Sequence, residues 1–280
     1  MGDTFLCGRF EFDLERPLVM GIVNVTPDSF SDGGEHADTD SAVSHARRLI
    51  DQGAHILDLG GESTRPGAAP VSVQDELARL LPVIDALRDS GVPLSIDTFK
   101  PEVMRAVLDA GADMINDIYA FRQPGAIDAV AQSRCGLCVM HMQGEPGTMQ
   151  RAPEYTDLLG EVDVFLADRV QQLRAAGVDP QRIVLDPGFG FGKTASHNYQ
   201  LLRGLSSLRA SGYPLLTGLS RKTMIGDATG KPVANRLAGS IAGALACVAR
   251  GAFIVRVHDV AETVDALKVW QASEQGAIQL

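Results

Sequence analysis

Arg256 and His258 stand two apart in the apolar run FIVRVH, where alternate positions of an extended chain share a face. Both therefore point inward if that run is a strand, and a guanidinium buried there is costly unless an anion or acceptor meets it. Lys222, in GLSRK, and Arg65, in STRPG, would complete a local positive cluster suited to a phosphate or diphosphate. Asp97, Asn116 and Asp186 ask for a different partner. Each ends a short aliphatic run, and carboxylate and amide groups together can hold the donor-rich edge of a heterocycle such as an amino-pyrimidinone. Paired carboxylates also suit general acid and base catalysis or a metal site, and the residues alone leave those open.

Other polar groups fall at equivalent places. Asn24 ends an apolar run and enters the oxygen-rich stretch NVTPDSFSDGG, while GGESTRPG is a second small polar loop carrying a cation. Asp117, His141 and Ser220 also follow apolar segments. A single such residue reads equally well as a turn or a helix cap, Asp97 or Thr98 before Pro101 being a fair example. Capping does not explain the whole set. Two motifs carry less than they promise. GKT at 192–194 lacks the glycine a phosphate-binding P-loop needs, Pro187 standing in its place, so residues 187–194 read as a flexible wall with Phe189 or Phe191 offering an aromatic contact. Cys135 and Cys138 form CGLC, but no second CxxC exists and positions three apart on a strand face opposite ways.

The elements that would position these groups alternate. Apolar strands are expected at 18–25, 56–60, 93–97, 114–118, 137–140, 183–186, 214–219 and 253–258. Helices are expected at 40–52, 73–88, 101–110, 125–132, 155–176, 196–210, 232–250 and 260–271. Pro101 suits a first helical turn, and Gly53, Gly91, Gly111, Gly177 and Gly251 fall just past helix ends. Repeated strand–helix units without a linker predict an α/β fold, a (β/α)8 barrel forming one domain over residues 1–280, with a short N-terminal strand or hairpin at 5–13 as a plug or cover. A doubly wound sheet, the runner-up, would want a phosphate fingerprint after its first strand, and none is present. In a barrel, reactive groups lie at the C-terminal strand ends, which is where the polar residues fall.

Composition narrows the partners. With 25 Lys and Arg against 35 Asp and Glu, the net charge of −10 argues against a nucleic-acid surface. The segment 241–257 is interrupted by Arg250 and Arg256, and the N-terminal residues lack a basic start before an apolar stretch, so no membrane partner and a cytoplasmic location are expected.

From about residue 18 onward the chain closely resembles the dihydropteroate synthases of bacterial folate synthesis. MGIVNVTPDSFSDGG and LDLGGESTRPGA look like the family's two signature stretches, and SIDT, NDI, MHMQGEPGTMQ, DPGFGFGK, GLSRK and RVHDV look like its remaining motifs, in family order. The resemblance implies a barrel that condenses para-aminobenzoate with 6-hydroxymethyl-7,8-dihydropterin diphosphate, with magnesium, releasing pyrophosphate. It also implies a homodimer packed through late helices, for which the small-residue run 240–249 is a candidate, a buried core helix being an equal explanation. By motif, Asp97, Asn116, Asp186 and Lys222 would hold the pterin, with Arg256 against its ring. Asn24 would help bind magnesium, while Thr64, Arg65, Arg256 and His258 would surround the diphosphate. Phe30, Thr64, Pro66, Phe191, Lys222 and Thr223 would enclose the aminobenzoate. Many members carry Ser where this chain has Thr223.

Three other readings compete. A methyltetrahydrofolate methyltransferase barrel would share the pterin carboxylates but would not require Thr64, Arg65, Arg256 and His258. An aldolase-like barrel with Lys222 as a Schiff base leaves Arg221 and the glycine-rich loops unexplained. A pterin binder without turnover should have lost loop residues that are present here.

Overall fold

In the computed structural model, residues 4–26, 34–63, 69–145, 147–150, 152–208 and 212–276 are described. The hairpin of β1 (Thr4–Cys7) and β2 (Phe10–Asp13) pairs antiparallel. The next strands are β3 (Leu18–Asn24), β4 (Ile56–Gly60), β5 (Leu94–Asp97), β6 (Met114–Asp117), β7 (Gly136–Met140), β8 (Ile183–Asp186), β9 (Leu215–Thr217) and β10 (Ala252–Val257). These eight close into a parallel barrel in the order β10-β3-β4-β5-β6-β7-β8-β9. Between and after them run α1 (Gly34–Asp51), α2 (Val73–Leu87), α3 (Pro101–Asp109), α4 (Ala126–Ala131), α5 (Leu158–Ala175), α6 (Ala195–Arg203), α7 (Leu205–Leu208), α8 (Thr223–Thr229), α9 (Leu237–Val248) and α10 (Val260–Gln275). The fold is the (β/α)8 barrel expected from the alternation.

Period-two alternation sorts each strand between two environments. Outward positions such as Val19, Leu57, Ile96, Ile115, Val139, Leu185 and Val255 join the helices in one large core. Inward positions Met20, Ile56, Met114, Cys138, Val184, Leu216 and Ile254 fill the lower barrel with Phe5 and Cys7 of the hairpin. The plug expected at the N-terminus is therefore the floor of the barrel. Two residues further along, the inward positions change character: Ile56 is followed by Asp58, Met114 by Asn116, Val184 by Asp186 and Ile254 by Arg256. An apolar lower layer thus carries a polar upper one. Cys138 faces the lower interior whereas Cys135 joins the outer core, so the CGLC sulfurs do face opposite ways, and both are free and buried.

Local chemistry sets the helix ends. Ser72 caps α2 by accepting from the Asp75 N–H, Pro101 opens α3, and Thr194 with His197 forms a capping box on α6. Gly53, Gly91, Gly111, Gly177 and Gly251 all have positive φ at the turns between helix and strand, as expected of C-terminal glycines. Four helices differ from expectation. α1 begins at Gly34, six residues before the expected start, and α10 runs to Gln275, four residues past the expected end. The segment 196–210 breaks at Gly204 into α6 and α7. The segment 232–250 is a 3-10 turn (Val233–Asn235) followed by α9, and it is preceded by the unanticipated α8. Thr-rich TMIGDAT has weak helix propensity, so α8 is held by packing, with Met224, Ile225 and Gly226 buried. Among the described residues no helix is long and apolar enough to cross a membrane.

Candidate active site

The upper layer centres on Arg256, which β10 delivers into the barrel. Its Nε donates to Asp58 Oδ2 at 2.6 Å and its Nη2 to Asp97 Oδ2 at 3.0 Å. Asp58 lies on β4, fully buried, and accepts also from Ser95 Oγ at 2.6 Å and Asn116 Nδ2 at 3.2 Å. Four strands are thereby cross-linked at one level. The anion expected to meet the half-buried guanidinium is thus the protein's own, a pair of carboxylates. Burial opposes the charge on Arg256, but Asp58 and Asp97 outweigh it and raise its pKa above the ordinary arginine value.

Opposite this network, Asp186 ends β8 and its Oδ1 accepts from the Gly188 N–H at 2.7 Å. Lys222 opens α8; its Nζ donates to the Phe189 carbonyl at 2.5 Å and lies 4.7 Å from the centre of the Phe191 ring. Burial lowers Lys222 to about 8, with Asp186 and Asp97 supporting its charge and Arg256 opposing it. Burial pushes both Asp97 and Asp186 up; Arg256 opposes the shift chiefly at Asp97 and Lys222 chiefly at Asp186. Three carboxylates and an amide therefore face two cations in a largely desolvated bowl. Among the described residues, the second oxygens of Asp97 and Asp186 accept no hydrogen bond. Such a site can hold a planar group that offers N–H donors on one edge and an acceptor to Lys222.

A family model described as a pterin binding enzyme matches residues 20–258. The dihydropteroate synthase of Neisseria meningitidis serogroup C is 53% identical over 270 residues, covering 95% of this chain and 95% of that protein. This chain belongs to the dihydropteroate synthase family of pterin-binding enzymes. The Xanthomonas albilineans dihydropteroate synthase with 4-aminobenzoic acid superposes with a TM-score of 0.92 at 53% identity, over 98% of this chain and 99% of that one. The Burkholderia cenocepacia dihydropteroate synthase complexed with 7,8-dihydropteroate gives 0.90 at 56% identity, over 98% and 97%.

Of the positions singled out from the dihydropteroate synthase motifs, Asp97, Asn116, Asp186, Lys222 and Arg256 converge on the bowl. Phe191 is half-buried beside Lys222, and Thr223, the first residue of α8, is exposed. His258 follows the end of β10, two residues past Arg256, and pairs with Ser220, its Nδ1 3.1 Å from the hydroxyl. Asn24 stands exposed at the end of β3, in register with Gly60. Phe30, Thr64, Arg65 and Pro66 lie outside the described residues. Asp97 does not cap α3, whose N-cap is Lys100 without a side-chain bond, and Asp117 points outward to receive the Tyr119 and Phe121 N–H groups at 2.7 Å each.

Two features escaped the sequence reading. Asp58 sits in mid-strand, and attention to strand ends alone passes over it; the signal was a lone carboxylate inside the apolar run ILDLG, in phase with the inward Ile56. The wall at 187–194 is also not a loose one. Phe189 is fully buried, Gln150 Nε2 holds the Gly190 carbonyl, Tyr155 Oη holds that of Gly192 at 2.8 Å, and Asn198 Oδ1 accepts from the Gly190 N–H at 2.7 Å.

Proposed function

We propose that this family member condenses 6-hydroxymethyl-7,8-dihydropterin diphosphate with para-aminobenzoate, giving 7,8-dihydropteroate and pyrophosphate. The observation that carries this reading is the Arg256 guanidinium held by Asp58 and Asp97 above an apolar layer, with Asn116, Asp186 and Lys222 on the same bowl. Asp97, Asn116 and Asp186 take the N–H edge of the pterin, Lys222 donates to its acceptors, and Arg256 lies against the ring. Thr64, Arg65, Arg256 and His258 surround the diphosphate. The aminobenzoate lies among Phe30, Thr64, Pro66, Phe191, Lys222 and Thr223.

The reaction is a substitution at the exocyclic methylene. The C–O bond breaks with its electron pair leaving on the diphosphate, the electron-rich dihydropterin stabilises the cation, and the arylamine lone pair forms the C–N bond before a proton passes to solvent. An arylamine is neutral near pH 7, so no strong base is called for. The chain's task is electrostatic: a guanidinium fixed in advance by two carboxylates needs little reorganisation as charge develops on the leaving group.

The donor set fits magnesium, which takes oxygen ligands and often keeps only one or two from protein beside substrate phosphates. Asn24 offers an amide oxygen at the rim, and no cluster of three or more His, Cys, Asp or Glu occurs among the described residues to hold a metal by itself. Bound there with the diphosphate, the ion would supply charge neutralisation. A cytoplasmic location, a single domain and a homodimer through the late helices complete the reading. For the dimer, Val233 and Leu237 are exposed ahead of α9 and at its start, while Ser240, Gly243, Ala244 and Cys247 are used internally.

The test is pyrophosphate release by the purified protein with the pterin diphosphate and magnesium, with and without para-aminobenzoate, following dihydropteroate by chromatography. Product dependent on both substrates is expected. Pterin binding without product at any magnesium concentration would overturn the catalytic reading.

A further inference from the structure

The wall after β8 carries a buried lysine that the chemistry above leaves without a role. Lys193 is 3% exposed, and its Nζ lies 2.9 Å from His141 Nδ1, 3.0 Å from the Gly188 carbonyl and 3.1 Å from that of Phe191. Three acceptors match the three hydrogens of an ammonium. Burial works against the charge and lowers this lysine to about 7, with Asp186 opposing the shift. His141 follows β7, its ring centre 5.0 Å from that of Phe165 and nearly perpendicular to it; burial, with Lys193 beside it, lowers its pKa to about 3, so the imidazole is neutral and Nδ1 can accept from the ammonium. The lysine thus joins the end of β7 to the wall.

The wall packs its backbone closely against the segment after β7. Gly188, Gly190 and Gly192 have φ of +73°, +80° and +60°. A Cβ on Gly188 would collide with the His141 carbonyl, and one on Gly192 would lie 2.5 Å from that of Gln143. Phe191 is held through both of its backbone polar groups, its N–H donating to the Gly188 carbonyl at 3.1 Å and its own carbonyl accepting from Lys193. Its ring then stands under the Lys222 ammonium.

We propose that Lys193 is a positioning residue for para-aminobenzoate: by tying the Gly188 and Phe191 carbonyls to His141, it sets the Phe191 ring as the wall against which the arylamine lies. Lys193 itself touches no substrate. This rests on the placement of the aminobenzoate beside Phe191 given above.

Steady-state kinetics on Lys193→Met, Phe191→Ala and the double variant, at saturating pterin diphosphate, test it. Lys193→Met should raise the KM for para-aminobenzoate about ten- to a hundredfold, the scale of losing hydrogen bonds from a buried charge. Its KM for the pterin diphosphate should stay within about threefold, because uniform binding is lost at one substrate only. The double variant should be no worse than Phe191→Ala alone, within about twofold, since both act through one ring. Lys193→Gln, which keeps one donor, should fall between wild type and Lys193→Met and serves if the methionine variant does not fold. An aminobenzoate KM unchanged in Lys193→Met while Phe191→Ala raises it overturns the proposal alone, as do effects that multiply in the double variant. No effect from Phe191→Ala overturns the placement of the aminobenzoate as well.

Discussion

Both ends of the barrel place an arginine on a buried aspartate, and the two ends treat the pair differently. At the floor, Arg9 Nε and Nη2 reach the two Asp113 oxygens at 2.9 and 3.0 Å, and the same oxygens accept from the Arg9 and Leu94 N–H groups. Every acceptor site there is engaged from within the chain, and the result is a fastener between hairpin and barrel. At the mouth, Asp58 has both oxygens engaged by Arg256, Ser95 and Asn116, but Asp97 and Asp186 each keep an oxygen that nothing described engages. Saturated pairs hold structure together; incompletely saturated ones await a ligand.

The sharpest break in that comparison sets Arg256→Met against Phe5→Ala. The first should lower kcat/KM by about 10²- to 10³-fold, the usual scale for a preorganised charge contact in a transition state. The second removes a fully buried ring from the floor and should lower stability by about 3–5 kcal/mol in denaturant titrations while the folded fraction keeps its turnover. Turnover near wild type in Arg256→Met would erase the distinction between the two ends. Arg9→Met is the milder counterpart: Asp113 keeps its backbone donors, so about 1–3 kcal/mol of stability should be lost with kcat/KM unaltered.

A pH series sharpens the mouth further. The folded pKa of Lys222, about 8, lies below its ordinary value of 10.5. Between those values the unfolded chain binds more protons than the folded one, so this group's contribution to stability rises with pH across that window. Activity should move the opposite way. The cation that donates to the pterin is lost as pH rises through about 8, so kcat/KM for the pterin diphosphate should fall on that limb, and Lys222→Arg should shift the limb upward. The smallest effect is expected of Thr223→Ser: the side chain is exposed and keeps its hydroxyl, so the aminobenzoate KM should change by less than about twofold in the same assay.

The barrel was legible because its signals are local and repeated: aliphatic runs such as LVMGIV, glycines with positive φ at the helix-to-strand turns, Pro101 at a first turn. The polar mouth was legible because strand ends are marked by an abrupt change of residue type at Asp97, Asn116 and Asp186. What escaped is tertiary. Asp58 looks like a misplaced charge until Arg256, 198 residues away, is brought to it. Lys193 belongs to a motif that imitates a phosphate loop, and only the approach of His141 shows that the lysine turns inward. The helix α8 has poor intrinsic propensity and exists by packing.

The floor also bears on how the barrel assembles. Phe5 and Cys7 share one cluster with Phe253 and Ile254, and β10 pairs with β3, so segments made early and late in synthesis must find each other. Contacts of such long sequence separation form slowly. While the chain emerges, the sheet keeps open edges at β3 and β9 until β10 arrives to join them, and interruption of synthesis before that point should leave an aggregation-prone intermediate.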